Sequence, residues 1–295
     1  MEYSILGNTS MNISRIAFGC MSLHPDSADN DKLLMDAVAG GINYFDTADL
    51  YNNGLNEEIL GRALKTCRAE VFIATKVGNQ LRPDGSGWDW NPTKKYILEA
   101  AEKSLQRLQT DHIDLYQLHG GTIDDPIDET IEAFEQLKQQ GKIRYYGISS
   151  IRPNVIREWV KRSGISSVMM QYSLLDRRPE EECLQLLLKN NIGVLARGPL
   201  AQGLLVTKPA KDYLGKNADD VKSIAAAMNG QKSPASALAL QYVLHHPAIT
   251  AVVAGIRTNA QLQDALKAIR LPPLTEEMYS WMLQISSPNY YTDHR

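Results

Sequence analysis

Four residues of types that can move a proton close three successive short apolar runs. Asp46 ends "INYFD", with Tyr51 five residues on; Lys76 ends "VFIATK"; His119 ends "IDLYQLH". A free phenol, with a pKa near ~10, is a poor acid at neutral pH. An ammonium beside it favours the phenolate and so strengthens the acid. A carboxylate paired with that ammonium keeps it charged and fixed. An imidazole can share or relay the proton, or hydrogen-bond a substrate oxygen. Each residue alone has an ordinary reading: a turn-forming aspartate, a loop aromatic, a solvated lysine, a loop histidine beside two glycines. Together they form a device that protonates an oxygen gaining negative charge. Carbonyl reduction creates such an oxygen, and because the four side chains carry no reductant, a hydride donor is implied.

The elements that must position these groups are legible in the hydrophobic pattern. Near-continuous apolar runs, expected of strands buried on both faces of a parallel sheet, place strands over 16–19, 42–46, 71–76, 113–119, 143–149, 167–172, 193–197 and 249–253. Segments of helical period lie between them, over 31–39, 56–67, 93–108, 127–140, 153–162, 180–190, 233–246 and 259–269. Gly40-Gly41, Gly141, Gly164 and Pro247 supply stop signals. Strict alternation makes the chain α/β. Eight repeats in a chain of 295 residues favour a closed (β/α)₈ TIM barrel, as one domain over 1–295. The N-terminal segment 2–14 is expected to form a hairpin over the barrel bottom, and 275–285 an extra C-terminal helix. In such a barrel the C-terminal strand ends converge on one mouth. Ser149, Ser150, Gln171, Tyr172 and Arg197 therefore join the four acid–base residues there.

Composition narrows the function further. A formal net charge of −3 gives no basic excess for nucleic acid or an anionic membrane. Three cysteines with no C-x-x-C pair argue against a disulfide framework and a structural zinc site. No signal peptide and no run of membrane-spanning length is visible, so a cytoplasmic location is expected. G-x-G-x-x-G after a strand, Walker A, H-E-x-x-H and G-x-S-x-G are absent, and no metal is expected. Any nucleotide must be held in some other way.

Six stretches, in order, carry a family likeness: "GINYFDTADLYNNGLNEEILGRAL", "FIATKVG", "SLQRLQTDHIDLYQLHGG", "GKIRYYGISS", "MMQYSLLDRR" and "GPLAQGLL". They resemble the aldo-keto reductases, NADPH-dependent (β/α)₈ barrels, most of all the bacterial members. The resemblance runs from Gly19 to about Leu266. It implies that Tyr51 is the general acid, with Asp46, Lys76 and His119 as partners, in the reduction of a small aldehyde or ketone. Ser149, Ser150 and Gln171 match residues at the nicotinamide carboxamide. Gly19, Cys20 and Met21, with Asp46, match a segment against the cofactor. Gly198, Pro199, Leu200, Ala201 and Gly203 match the loop along the pyrophosphate. Gly255, Arg257, Gln261 and Asp264 match the segment holding the 2′-phosphate and adenine, where an arginine fork suits a phosphate.

The chain departs from the pattern in places. Arg197 stands where many members stack an aromatic on the nicotinamide; its guanidinium either stacks there or turns into a loop. Gly120-Gly121 follow His119 where a tryptophan often walls the pocket, and Trp88 and Trp90 are candidates for a replacement wall or for packing. Ala265 replaces a common adenine-contacting asparagine. The lysine-bearing segment 205–233 reads either as a cover over the cofactor or as a solvated loop. Two rival functions are an NADP(H)-binding regulatory subunit resembling channel β subunits, and a lyase or isomerase using the same tyrosine and lysine. The substrate and the oligomeric state have no signature in the chain.

Overall fold

The computed structural model describes residues 1–295. The chain opens with an antiparallel hairpin of β1 (Tyr3–Ile5) and β2 (Asn12–Ser14). Three barrel strands follow, β3 (Ile16–Gly19), β4 (Tyr44–Asp46) and β5 (Phe72–Val77), with α1 (Asn30–Ala39) and α2 (Leu55–Leu64) between them. A second hairpin, β6 (Asn79–Leu81) and β7 (Trp88–Trp90), precedes α3 (Lys94–Leu108). Then come β8 (Ile113–Leu118), α4 (Ile127–Gln139), β9 (Ile143–Ser149), α5 (Pro153–Arg162), β10 (Ser167–Gln171), α6 (Cys183–Lys189) and β11 (Gly193–Arg197). The chain finishes with α7 (Ala218–Asn229), α8 (Ala235–His245), β12 (Ile249–Gly255), α9 (Asn259–Arg270) and α10 (Glu276–Ile285). The eight parallel strands β3, β4, β5, β8, β9, β10, β11 and β12 close into a barrel, each hydrogen-bonded to the next and β12 to β3. The expected (β/α)₈ TIM barrel is therefore the fold.

Two apolar layers hold it. The larger core lies between strands and helices, where helix faces such as Ile97, Ala101 and Leu108 meet outward strand residues such as Ile73 and Tyr116. The smaller core fills the barrel with inward residues Ala17, Tyr44, Ala74, Leu115, Met169, Leu195 and Ala251, and Leu6, Met11 and Ile13 of the first hairpin cap it from below. Because that end is plugged, the opposite end, at the strand C-termini, is left for chemistry. Register sets which groups stand level there: Gly19 faces Asp46, Lys76 faces Gln117, Gln171 faces Arg197 and Gly255 faces Gly19.

The sequence pattern differs from the structure in four places. The second hairpin is absent from it, because its strands are three residues each around a Pro/Gly-rich turn. The segment 205–233 holds α7, capped by Asn217 Oδ1 accepting from Asp220 N at 2.8 Å. Its buried stripe of Val221, Ile224 and Met228 is helical spacing, obscured by a lysine-rich approach. The expected helix over 180–190 is a 3₁₀ turn at Arg178–Glu180 followed by α6. Ala265 is buried in the helix–strand core, so that position serves packing.

Candidate active site

Asp46 is the last residue of β4 and Lys76 stands on β5, and both are almost fully buried. Lys76 Nζ donates to Asp46 Oδ1 at 2.5 Å and to the Thr47 carbonyl at 2.6 Å. Burial alone would strip charge from both groups. At Lys76 it is the largest single influence, but Asp46 and Tyr51 together outweigh it and keep the ammonium above its usual range. At Asp46 burial pushes the carboxyl up, against the pull of Lys76, Gln117 and Arg197. The third ammonium proton remains available toward Tyr51, whose ring centroid lies 5.1 Å from Nζ. Tyr51 opens a 3₁₀ turn, Tyr51–Gly54, in which Asn52 and Asn53 take φ of 49° and 55°. Asparagine tolerates that left-handed region better than most side chains. Asn52 Nδ2 pins the turn to the Leu23 carbonyl at 3.1 Å.

His119 follows β8 and meets the edge of Tyr51, with ring centroids 5.7 Å apart and planes at 81°. Burial, with the charges of Lys76 and Arg197, pushes its pKa down to about 3, so the ring is neutral. Its Nδ1 is buried without a partner in the protein. A neutral imidazole here is a hydrogen-bond group, which narrows the expected choice between relay and orientation.

A polar ledge continues round the mouth. Ser149 ends β9; the neighbouring Ser150 Oγ accepts from Arg152 N at 3.1 Å and so also serves its own turn. Gln171 ends β10, with Nε2 donating to Asp176 Oδ2 at 2.9 Å and to Tyr213 Oη at 3.0 Å. Arg197 is exposed and donates through Nη1 to Gln171 Oε1 at 3.0 Å, so its guanidinium leans across the ledge toward Gln171. Cys20 is buried, with burial first and then Asp46 pushing its thiol up, so it is a neutral thiol; Met21 beside it is 65% exposed. The loop 198–203 bends sharply, with positive φ at Gly198, Ala201, Gln202 and Gly203. Beyond β12, Arg257 is exposed just before α9, its backbone N–H held by Gln261 Oε1 at 3.0 Å. Thr258 caps that helix, so an exposed arginine directly precedes a helix N-terminus. Asp264, one turn in, lies 3.9 Å from Lys267.

A model of the Aldo/keto reductase family matches residues 15–286. The chain belongs to this family. It is thus an oxidoreductase of small carbonyl compounds that works with a nicotinamide cofactor. An uncharacterized oxidoreductase of Bacillus subtilis, YqkF, is 48% identical over 301 aligned positions, covering 98% of each chain. The holo form of the aldo-keto reductase AKR11C1 from Bacillus halodurans superposes with a TM-score of 0.97 at 49% identity, covering 100% of this chain and 99% of that one. Its apo form gives 0.89. The NADH-specific methylglyoxal reductase of Escherichia coli is 34% identical, covering 71% of this chain and 70% of that one. The kinship is to bacterial members of the family.

In this aldo/keto reductase the hairpin β6–β7 supplies the tryptophans. Trp90 lies over the glycines at the mouth: a Cβ at Gly78, whose φ is +124°, would meet its ring at 2.6 Å, and one at Gly120 at 3.5 Å. Trp90 Nε1 donates to Asp125 Oδ1 at 3.0 Å, tying the hairpin to the loop after His119. Trp90 therefore packs beside the wall position, while Trp88 is 48% exposed. Four residues escaped the reading of the sequence. Gln117 Nε2 donates to Asp46 Oδ2 at 3.3 Å; it stands two residues before His119, so strand alternation already placed it on the same face. Asp176 and Tyr213, which hold Gln171, carry no local signal because they come from separate loops. Asp49 is 6% exposed with one unpartnered oxygen beside a cavity of about 170 Å³ against α3. Burial, then Glu57, pushes its carboxyl up to about 8.

Proposed function

We propose that this protein, as one barrel domain, reduces a small aldehyde or ketone to the alcohol with NADPH as hydride donor and Tyr51 as proton donor. The observation that carries the reading is the buried Lys76–Asp46 pair beside Tyr51, with a neutral His119 on the edge of the same ring. The residues round the mouth fit a nicotinamide dinucleotide. Gln171 Oε1 keeps one lone pair free after Arg197, and both its amide protons are engaged. Gln171 would therefore accept from the carboxamide nitrogen, leaving the carboxamide oxygen to the Ser149 hydroxyl. Gly19, Cys20 and Met21 would line the cofactor, the bent loop 198–203 would follow the pyrophosphate, and Gly255, Arg257, Gln261 and Asp264 would hold the adenosine end. Arg257 and the α9 N-terminus suit a 2′-phosphate, which favours NADPH. The likeness to a holo-form structure supports cofactor binding, and the NADH of the E. coli relative makes NADPH over NADH a matter for measurement.

When bound, the nicotinamide supplies a hydride to the carbonyl carbon. Tyr51 gives its phenolic proton to the carbonyl oxygen as negative charge builds there. Lys76 keeps a positive charge beside the phenolate that remains, and Asp46 fixes the ammonium. His119, having no charge to lose, donates an N–H to the substrate oxygen and orients it. The decisive experiment pairs wild type with Tyr51→Phe on 4-nitrobenzaldehyde, using NADPH and NADH in turn. Tyr51→Phe is expected to bind NADPH as wild type does and to lose on the order of 10²–10⁴ in kcat. Turnover at the wild-type rate would remove Tyr51 from the acid role.

A further inference from the structure

Two tight turns from different loops meet at Gln171. In the first, 173–176, Ser173 and Asp176 exchange backbone hydrogen bonds, and Ser173 Oγ also accepts from Asp176 N at 3.1 Å. In the second, 213–216, Tyr213 and Lys216 exchange backbone bonds in the same way. Its central residues, Leu214 and Gly215, take φ of 48° and 84°, the signs of a type I′ turn. Leucine seldom adopts that conformation, so something outside the turn must hold it. Each turn ends in a group on Gln171 Nε2: Asp176 Oδ2 from the first and Tyr213 Oη from the second.

The C-terminal segment joins the two turns from outside the barrel. Asn289 Nδ2 donates to the Leu175 carbonyl at 3.2 Å and to the Leu214 carbonyl at 3.0 Å, one in each turn. Its Oδ1 accepts from Arg177 N at 2.8 Å. Both amide protons of this side chain are thus spent on the two turns, and its oxygen holds the residue that follows the first. Ser286 Oγ to the Leu174 carbonyl and Lys216 Nζ to the Ser287 carbonyl, at 2.7 and 2.6 Å, repeat the link on either side. Arg178 closes the set: it pairs with both oxygens of Asp176 and lies over the ring of Tyr291, 4.9 Å from its centroid.

We propose that Asp176, Tyr213 and Asn289 are positioning residues for the nicotinamide: the C-terminal segment clasps two turns whose ends fix the amide of Gln171. The inference rests on the reading of Gln171 as the carboxamide contact. It deepens that reading by making a segment remote from the reacting atoms a determinant of nicotinamide binding. A primary amide can rotate and exchange its oxygen and nitrogen. Two acceptors on Nε2 and one donor on Oε1 allow only one orientation, with the free lone pair presented to a ligand.

The test compares two ligands by titration calorimetry on the full chain: NADPH, and 2′,5′-ADP, which lacks the nicotinamide. Tyr213→Phe removes one hydroxyl and keeps the ring; Asn289→Ala opens the clasp; Gln171→Ala is the benchmark. Both positioning variants are expected to weaken NADPH by about threefold to tenfold while 2′,5′-ADP changes by less than about twofold. Retained 2′,5′-ADP binding also reports that the variants fold. Equal losses for the two ligands would mean general loosening and would overturn the proposal. A selective loss in Gln171→Ala with none in Tyr213→Phe and Asn289→Ala would overturn the proposal and leave the carboxamide reading standing. No selective loss in Gln171→Ala would remove that reading, and the proposal with it.

Discussion

His119 is the residue whose chemistry the surroundings decide most sharply. Free imidazole titrates near neutrality. Here burial, then Lys76 and Arg197, lowers the pKa to about 3. As pH falls below the ordinary histidine value, the unfolded chain takes up a proton that the folded chain refuses. His119 therefore withdraws stability on the acid side and contributes no such slope above it. The same shift makes a catalytic prediction: the pH profile of kcat should show no limb from His119 between about pH 5 and 8. NMR of the ring should show constant shifts over that range, and a titration there would reassign His119 as a proton relay. The residue types and their strand-end spacing were enough to select Asp46, Tyr51, Lys76 and His119 from the chain. The neutrality of His119 was not legible, since it arises from burial, from Lys76 and from Arg197, three strands away along the barrel wall.

At the scale of elements, barrel strands were legible because both faces are buried, which leaves runs such as "VLA" in β11 almost wholly apolar. The hairpin β6–β7 was not, because "NQL" and "WDW" are short and half exposed and owe their pairing to the turn between them. That hairpin separates two tryptophans by role. Trp90→Ala should cost about 2 kcal/mol in denaturant unfolding, by uncovering Gly78 and Gly120. Trp88→Ala should stay within about 0.5 kcal/mol and alter only KM across a carbonyl panel. Equal costs would reject the distinction. The loop from Asp46 to Tyr51 makes a second prediction. Asp49 faces Glu57, Arg107, Lys76 and Tyr96, and its carboxyl is pushed up to about 8 by burial and then by Glu57. The folded chain keeps this proton where the unfolded chain has lost it. Stability associated with Asp49 is therefore full at low pH and falls as pH rises toward 8. Asp49→Asn should remove that slope, at most about 1.4 kcal/mol per pH unit for one proton. Its advantage over wild type in urea unfolding should grow from pH 5 to 8 and then level off. An advantage that does not vary with pH would show that Asp49 titrates normally.

The whole molecule sets an electrostatic condition on its own cofactor. The chain carries a net charge of −3, so a dinucleotide bearing several phosphates gains nothing from the overall field. Attraction must be local, and exposed Arg257 before the capped α9 is the cation proposed for the adenosine end. That corner is separate from the buried Lys76–Asp46 pair proposed for the acid–base chemistry. Cofactor choice and proton transfer are therefore separable properties of one fold. Ligand binding to the folded chain alone raises its stability by about 2.7 kcal/mol at a hundredfold excess over Kd. NADPH should thus raise the thermal midpoint in a concentration-dependent way, and NADH should need a higher concentration for the same rise. Arg257→Ala should weaken NADPH by about tenfold and NADH by less than about twofold, drawing the two melting curves together. If NADH and NADPH shifted the wild-type midpoint equally, or if Arg257→Ala weakened both alike, the 2′-phosphate would not be read at Arg257.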